Sequence, residues 1–279
     1  MIGFRQFLTE ALIDIDAQDI NMIYAPFLKP YKELQAVWKK HTKGNITELT
    51  WANLEKWRLE KEFREVINKY DNGTPLKVFD SSQLKSKAAR EAHALNPVKI
   101  YTYLIGDGNM YTPTRSTIYI SLEAGIYYAM SSGLAGVPFH QIHMLKNETL
   151  DIRIKSTIRH ELTHWVDDST HNFHITKAIK STQAVKQAGG NWEKQLQKTL
   201  WAGEKDPYLG PVEINAYVNQ IAEIKRRIGK TKYDKLTWRN LMTLIPSLDY
   251  SDQRLGAAFR RKIFTRLSRE GLIGANMRI

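Results

Sequence analysis

The sequence predicts an α+β fold, mostly helical, in which a small mixed sheet packs on one central helix. Three observations carry that expectation. Apolar residues recur at helical spacing over most of the chain, a stretch after Pro97 turns rich in β-branched and aromatic residues, and the segment around "STIRHELTHWVDD" is again helical in pattern. With 279 residues, 42% hydrophobic and 25% charged, the chain has the composition of a folded protein with room for one sizeable core. Three regions follow: a helical N-terminal region over 1–95, an α+β core over 96–230, and a basic helical region over 231–279 packed on that core.

Residues 1–95 read as helices in "IGFRQFLTEALIDI", "PYKELQAVWKKH", "ITELTWANLEKWRLEKEFREVINKY" and "SSQLKSKAAREAHAL". In the third, Leu54, Trp57, Phe63, Val66 and Ile67 line one apolar face. "YDNGTP" from Tyr70 to Pro75 is a turn. Arg5, Glu10, Asp14 and Asp16 interrupt the N-terminal apolar pattern, so neither a signal peptide nor a membrane span is expected and the protein reads as cytoplasmic.

"PVKIYTYLIG" and "STIYISLE" are expected strands. "DGNMYTPTR" between them suits a hairpin loop or an edge excursion, and "GVPFHQIHML" offers a further extended segment. "ETLDIRIKSTIRHELTHWVDDS" follows, with Ile152, Ile154, Ile158, Leu162 and Trp165 apolar. Its later part is helical, whereas its start fits a strand equally well. After an irregular stretch with His171 and His174 come polar helical runs, then "GPVEINAYVNQIAEIKRRIG". Pro211 suits a first helical turn, which needs no amide donor there, and Gly229 closes the helix.

There is no cysteine, which excludes disulfides, thiolate metal sites and a cysteine nucleophile, so any metal must be held by histidine and carboxylate. His160, Glu161 and His164 stand in the spacing H-E-x-x-H. Residues four apart lie one turn above each other on a helix, so the two imidazoles can converge on one ion. Glu161, beside the first of them, is placed to take a proton from a water and pass it to a leaving amine.

On these residues the chain resembles the zincin superfamily of metallopeptidases, and "HELTH" is the form found in its thermolysin-like members. The resemblance covers the motif helix and the preceding sheet. It implies a Zn2+ cofactor, His160 and His164 as zinc ligands, Glu161 as general base, a protein or peptide substrate, and an edge strand that aligns the substrate backbone, for which "STIYISLE" or "VPFHQIHML" are the candidates. Metzincins would continue with glycine at position 167 and histidine at position 170, where this chain has Asp167 and Thr170, and His171 comes one place late. Gluzincins draw a glutamate from a downstream helix, often as E-x-x-A, and Glu213 followed by Ala216 fits, although at a longer spacing than the thermolysin type. His171, His174, Asp167, Asp168 and Glu204 remain alternatives for the third ligand. Asp167 and Asp168 read better as acceptors of the imidazoles' other N–H. Tyr217, one turn after Glu213, is the expected oxyanion stabiliser. His140 and His143 read as a loop or strand pair rather than a second metal site.

Lys and Arg outnumber Asp and Glu by 41 to 29, and from Ile221 to Ile279 fourteen cations face five acids. In "RLGAAFRRKIFTRLSREG" Leu255, Phe259, Ile263 and Leu267 fall on one face, with Arg260, Arg261, Lys262, Arg266 and Arg269 around it. A buried face beneath a solvated cationic one explains the pattern; a docking surface for nucleic acid or an acidic partner is the functional alternative, which would make the chain a non-enzymatic interaction protein. The start, "MIGFRQFLTEA", resembles N-termini found among proteins of large tailed bacteriophages. That resemblance implies an origin in a bacterial host cytoplasm or a virion.

Overall fold

The computed structural model describes residues 12–42, 56–70, 73–104, 109–121, 147–200, 204 and 206–278. The expectations for "MIGFRQFLTEA", for "GVPFHQIHML" with His140 and His143, and for the apolar positions Leu54, Trp57 and Phe63 lie outside what is described. The described residues are 69% helical with one four-stranded mixed sheet among them, consistent with α+β.

Helices α1 (Ala17–Tyr24), α2 (Leu28–Thr42) and α3 (Lys56–Tyr70) lead into strand β1 (Lys77–Asp80), helix α4 (Lys87–Leu95) and strands β2 (Lys99–Tyr103), β3 (Met110–Thr112) and β4 (Thr117–Ser121). The order across the sheet is β1-β2-β4-β3, with β2 and β4 parallel and both edge strands antiparallel to their neighbours. Two features depart from the sequence reading. Strand β1 lies inside the region expected to be all helical: Val78 and Phe79 pair with Tyr101 and Ile100, and Phe79 is buried. The segment between the two expected strands is itself a strand, β3, which folds back on β4 through a 3-10 turn at Pro113–Arg115 and makes β2 and β4 parallel neighbours.

One face of the sheet buries Phe79, Ile100, Ile118 and Ile120 against Ile158, Leu162 and Trp165 of helix α5 (Asn147–Thr170). Residues of α1 and α2, including Ile20, Ile23 and Phe27, complete this cluster, so it takes in side chains from both sides of position 95. The helix runs unbroken from Asn147, which settles the ambiguity of its start. Every residue from Ile158 to Ser169 is buried. Polar groups on so enclosed a helix need partners. Arg159 reaches the carbonyls of Ile13 and Ile15, Thr163 and Ser169 bond back to the carbonyls of Arg159 and Trp165, and the Trp165 indole donates to Asn96 O at 2.9 Å.

Beyond α5 come α6 (His174–Gln187), α7 (Trp192–Lys198), α8 (Pro211–Ile228), α9 (Lys230–Tyr233), α10 (Trp238–Leu244) and α11 (Pro246–Arg269). Helix α8 begins at Pro211 after Gly210 and stops at Gly229, whose φ of 78° suits a residue without Cβ. It lies antiparallel along α5 and buries Ile214, Val218 and Ile221 in a second cluster with Tyr233, Trp238, Phe259, Ile263 and Leu267. The expected apolar face of the basic helix is therefore buried, although α11 kinks at Gly256, φ 54°. Several of its cations have protein partners: Arg260 with Asp252 at 2.7 Å, Lys262 with Glu204, and Arg266 with Glu270 at 3.6 Å. Among the described residues no helix is long and apolar enough to cross a membrane.

Candidate metal centre

Helix geometry stacks His160 and His164 one turn apart on the side of α5 that meets α8. Their Nε2 atoms are 3.1 Å apart. Glu213, in the first turn of α8, brings Oε2 to 3.6 Å from His160 Nε2 and Oε1 to 3.5 Å from His164 Nε2. Two ligands each about 2.1 Å from a tetrahedral ion stand about 3.4 Å from one another. The three separations bracket that value, and the donor set of two imidazoles and a carboxylate suits a zinc ion with one position left for substrate or solvent. Among the described residues these three are the one group of histidine, aspartate or glutamate arranged to hold a metal.

Four of the other candidates for third ligand, Asp167, Asp168, His171 and Glu204, are engaged elsewhere. Asp168 Oδ1 accepts the amides of Ile175 and Thr176 at the start of α6, and its Oδ2 accepts the hydroxyls of Thr176 and Tyr111, so it caps a helix rather than orienting an imidazole. His171 Nδ1 lies 3.0 Å from the buried Asp167 carboxylate, one turn past His164. Glu204 pairs with Lys262.

His160 turns its Nδ1 to the side-chain oxygen of Gln220 at 3.1 Å. An amide oxygen only accepts, so Nδ1 carries the proton and the Nε2 lone pair faces Glu213 and His164. Gln220 in turn reaches Ser156 Oγ at 3.4 Å, and that hydroxyl donates to Arg153 O. The sequence reading missed Gln220. Its signal is there in retrospect: it lies seven residues after Glu213, two turns along the same face of α8.

Electrostatics follow from burial around a few charges. Burial pulls the His164 pKa down to about 4, against the pull of Glu213, which favours the neutral, metal-binding imidazole. For Glu213 burial raises the pKa, but the neighbouring His164 and His160, the latter 3.6 Å away, outweigh it and hold the carboxyl at about 2. His160 is likewise opposed by burial, and its bond to Glu213 with the Glu161 and Glu213 charges turns the net shift upward. The three groups compete for positive charge. Glu161, 5% exposed, is raised to about 7 by burial first, then lowered in part by His160, raised by Glu213 and lowered by a bond from the Tyr111 backbone amide.

That amide belongs to β3, an edge of the sheet. A cavity of about 380 Å³ opens between this strand and the α5–α8 seam, and Met110, Arg153, Glu161, Tyr208, Glu213 and Tyr217 are on its wall. Strand β4, expected as an edge, is covered on both sides by β2 and β3, so the edge beside the site is β3. Tyr217 is buried with its ring edge-on to His160 at 5.2 Å, and its hydroxyl lies 3.3 Å from Ser251 Oγ. Tyr208, just before α8, is on the wall with Tyr111 and Tyr217, and the sequence reading did not single it out. No family model, curated protein or solved structure matches the chain.

Proposed function

We propose that the protein is a zinc-dependent metallopeptidase of the zincin type, with His160, His164 and Glu213 as ligands. The observation that carries this reading is the convergence of Glu213, from a different helix, on the two motif imidazoles at 3.5 and 3.6 Å. Zinc held there supplies Lewis acidity, polarising a carbonyl and easing the ionisation of water near neutral pH. Glu161 takes the proton of the attacking water and returns it to the amine that leaves; a pKa near 7 suits both directions of transfer. Gln220 holds His160 in the tautomer that presents Nε2. Strand β3, an edge among the described strands, is suited to align an extended peptide along the cavity. Tyr208 and Tyr217, both on the cavity wall, are the candidates for oxyanion donor. The N-terminal sequence resemblance supports a phage-encoded protein acting in the host cytoplasm or virion.

Glu161→Gln separates binding from chemistry. The reading expects this variant to hold one zinc per chain and to have lost peptide hydrolysis, while His160→Ala with His164→Ala holds none. Hydrolysis undiminished in Glu161→Gln would overturn it.

A further inference from the structure

A larger cavity, about 770 Å³, lies farther along the α5–α8 seam, where the start of α5 and the end of α8 meet α1 and α2. Its wall is cationic. Arg226 and Arg227 end α8, and Lys32 and Lys232 stand at the rim. Behind them Glu223, fully buried, accepts Arg226 Nε at 3.0 Å, Arg226 Nη2 at 2.7 Å and Arg227 Nε at 2.5 Å, with Arg159 Nη1 at 3.4 Å. Three guanidinium groups thus share one carboxylate. Asp151, the one acid on the wall, is taken by Lys155 at 2.6 Å. On the wall and behind it, the cations Lys32, Lys155, Arg159, Arg226, Arg227 and Lys232 outnumber the acids Asp14, Asp151 and Glu223 by three.

The remaining wall is aromatic and apolar, formed by Tyr24 and Tyr31 with Leu28, Ile152 and Ile228. One carboxylate ligand would cancel a single charge of this excess. A phosphate presents two charges and oxygens that match a guanidinium fork. The carbonyls ending α8 disfavour any anion at that point, so the side chains must supply the attraction. We infer that this cavity binds a ligand of the nucleotide class, its phosphates on Arg226, Arg227 and Lys232 and its ring against the accessible apolar wall of Leu28, Ile152 and Ile228. The volume lies within the range of small-molecule sites, which favours a free nucleotide over a polynucleotide strand.

Calorimetric titration of the full chain with ATP, inorganic pyrophosphate, adenosine and a single-stranded oligonucleotide tests this. ATP is expected to bind saturably, pyrophosphate more weakly and adenosine not at all, with affinity falling as salt rises. Arg226→Gln and Lys232→Gln, both at side chains with solvent access, should each weaken ATP by about tenfold, the effect of losing one charged hydrogen bond, with unchanged circular dichroism. Four results would each overturn the inference: no saturable binding of ATP, equal binding of adenosine, affinity untouched in both variants, or tight binding of the oligonucleotide alone.

Discussion

The side-chain oxygen of Gln220 lies 3.1 Å from Nδ1 of His160, joining residues sixty positions apart. The contact fixes which nitrogen carries the proton, and with it which lone pair faces Glu213. Partners of this kind are worth about 10–100-fold in metal affinity. Gln220→Leu should therefore weaken zinc by that factor in a chelator competition, whereas Gln220→Glu, which keeps an acceptor in place, should retain tight binding. Equal affinity of the Leu variant and the parent would show that the contact does not orient the ligand.

Glu213 should behave differently from the histidines downstream of the motif. Glu213→Ala removes one of three donors and should bring zinc content, measured by atomic absorption after dialysis, well below one per chain. His171→Ala should leave it at one, because that ring faces Asp167. The opposite pattern would move the third ligand to His171.

Of the three tyrosines of the cavity, Tyr111 is held by Asp168, and the other two differ in what their hydroxyls already do. Tyr217 is turned to Ser251, whereas Tyr208, half-buried on the wall, stands just before the helix that carries Glu213. Loss of one oxyanion donor costs about 10²–10³ in kcat. That loss is expected for Tyr208→Phe, and a small change for Tyr217→Phe. Steady-state kinetics on a peptide substrate distinguishes them, and the reverse ranking would restore Tyr217 to the role its spacing suggested.

Asp168 should matter to stability more than to chemistry. It is fully buried and ties the end of α5 to the start of α6 and to Tyr111 of the edge strand. Removing a cap costs about 1 kcal/mol and a hydrogen bond to a charged group about 1.5–3 kcal/mol. Asp168→Ala should lower the urea midpoint by an amount equivalent to about 2–4 kcal/mol with an unchanged slope.

Stability should also fall in alkali. Burial pushes the phenols of Tyr24, Tyr111 and Tyr233 above their ordinary value of 10, and Tyr31 to about 12. The unfolded chain ionises first, so their contribution is complete below pH 10 and is lost as pH rises through the folded values. Urea midpoints at pH 8 and pH 11 should differ in that direction, with tyrosinate absorbance lagging behind that of the unfolded protein.

Much of the centre was legible along the chain because its first half is local. A helix sets the distance between positions 160 and 164 without reference to anything else, and Pro211 with Gly229 marks the helix that carries Glu213. The short strands were less legible. Four residues of β1 and three of β3 carry too little pattern to outweigh their surroundings, and they are strands because β2 and β4 present open hydrogen-bonding edges to them.

By itself the sequence determined the α+β class, the motif helix, the two imidazoles and the glutamate upon it, and the buried stripe of the basic helix. These depend on spacing within one element. Tertiary structure decided which carboxylate meets the imidazoles, that Gln220 orients one of them, that Asp168 caps a helix, and that β3 rather than β4 borders the site. Each of these depends on how one element is rotated and shifted against another, which the packing of α5 between the sheet and α8 sets and no local period encodes.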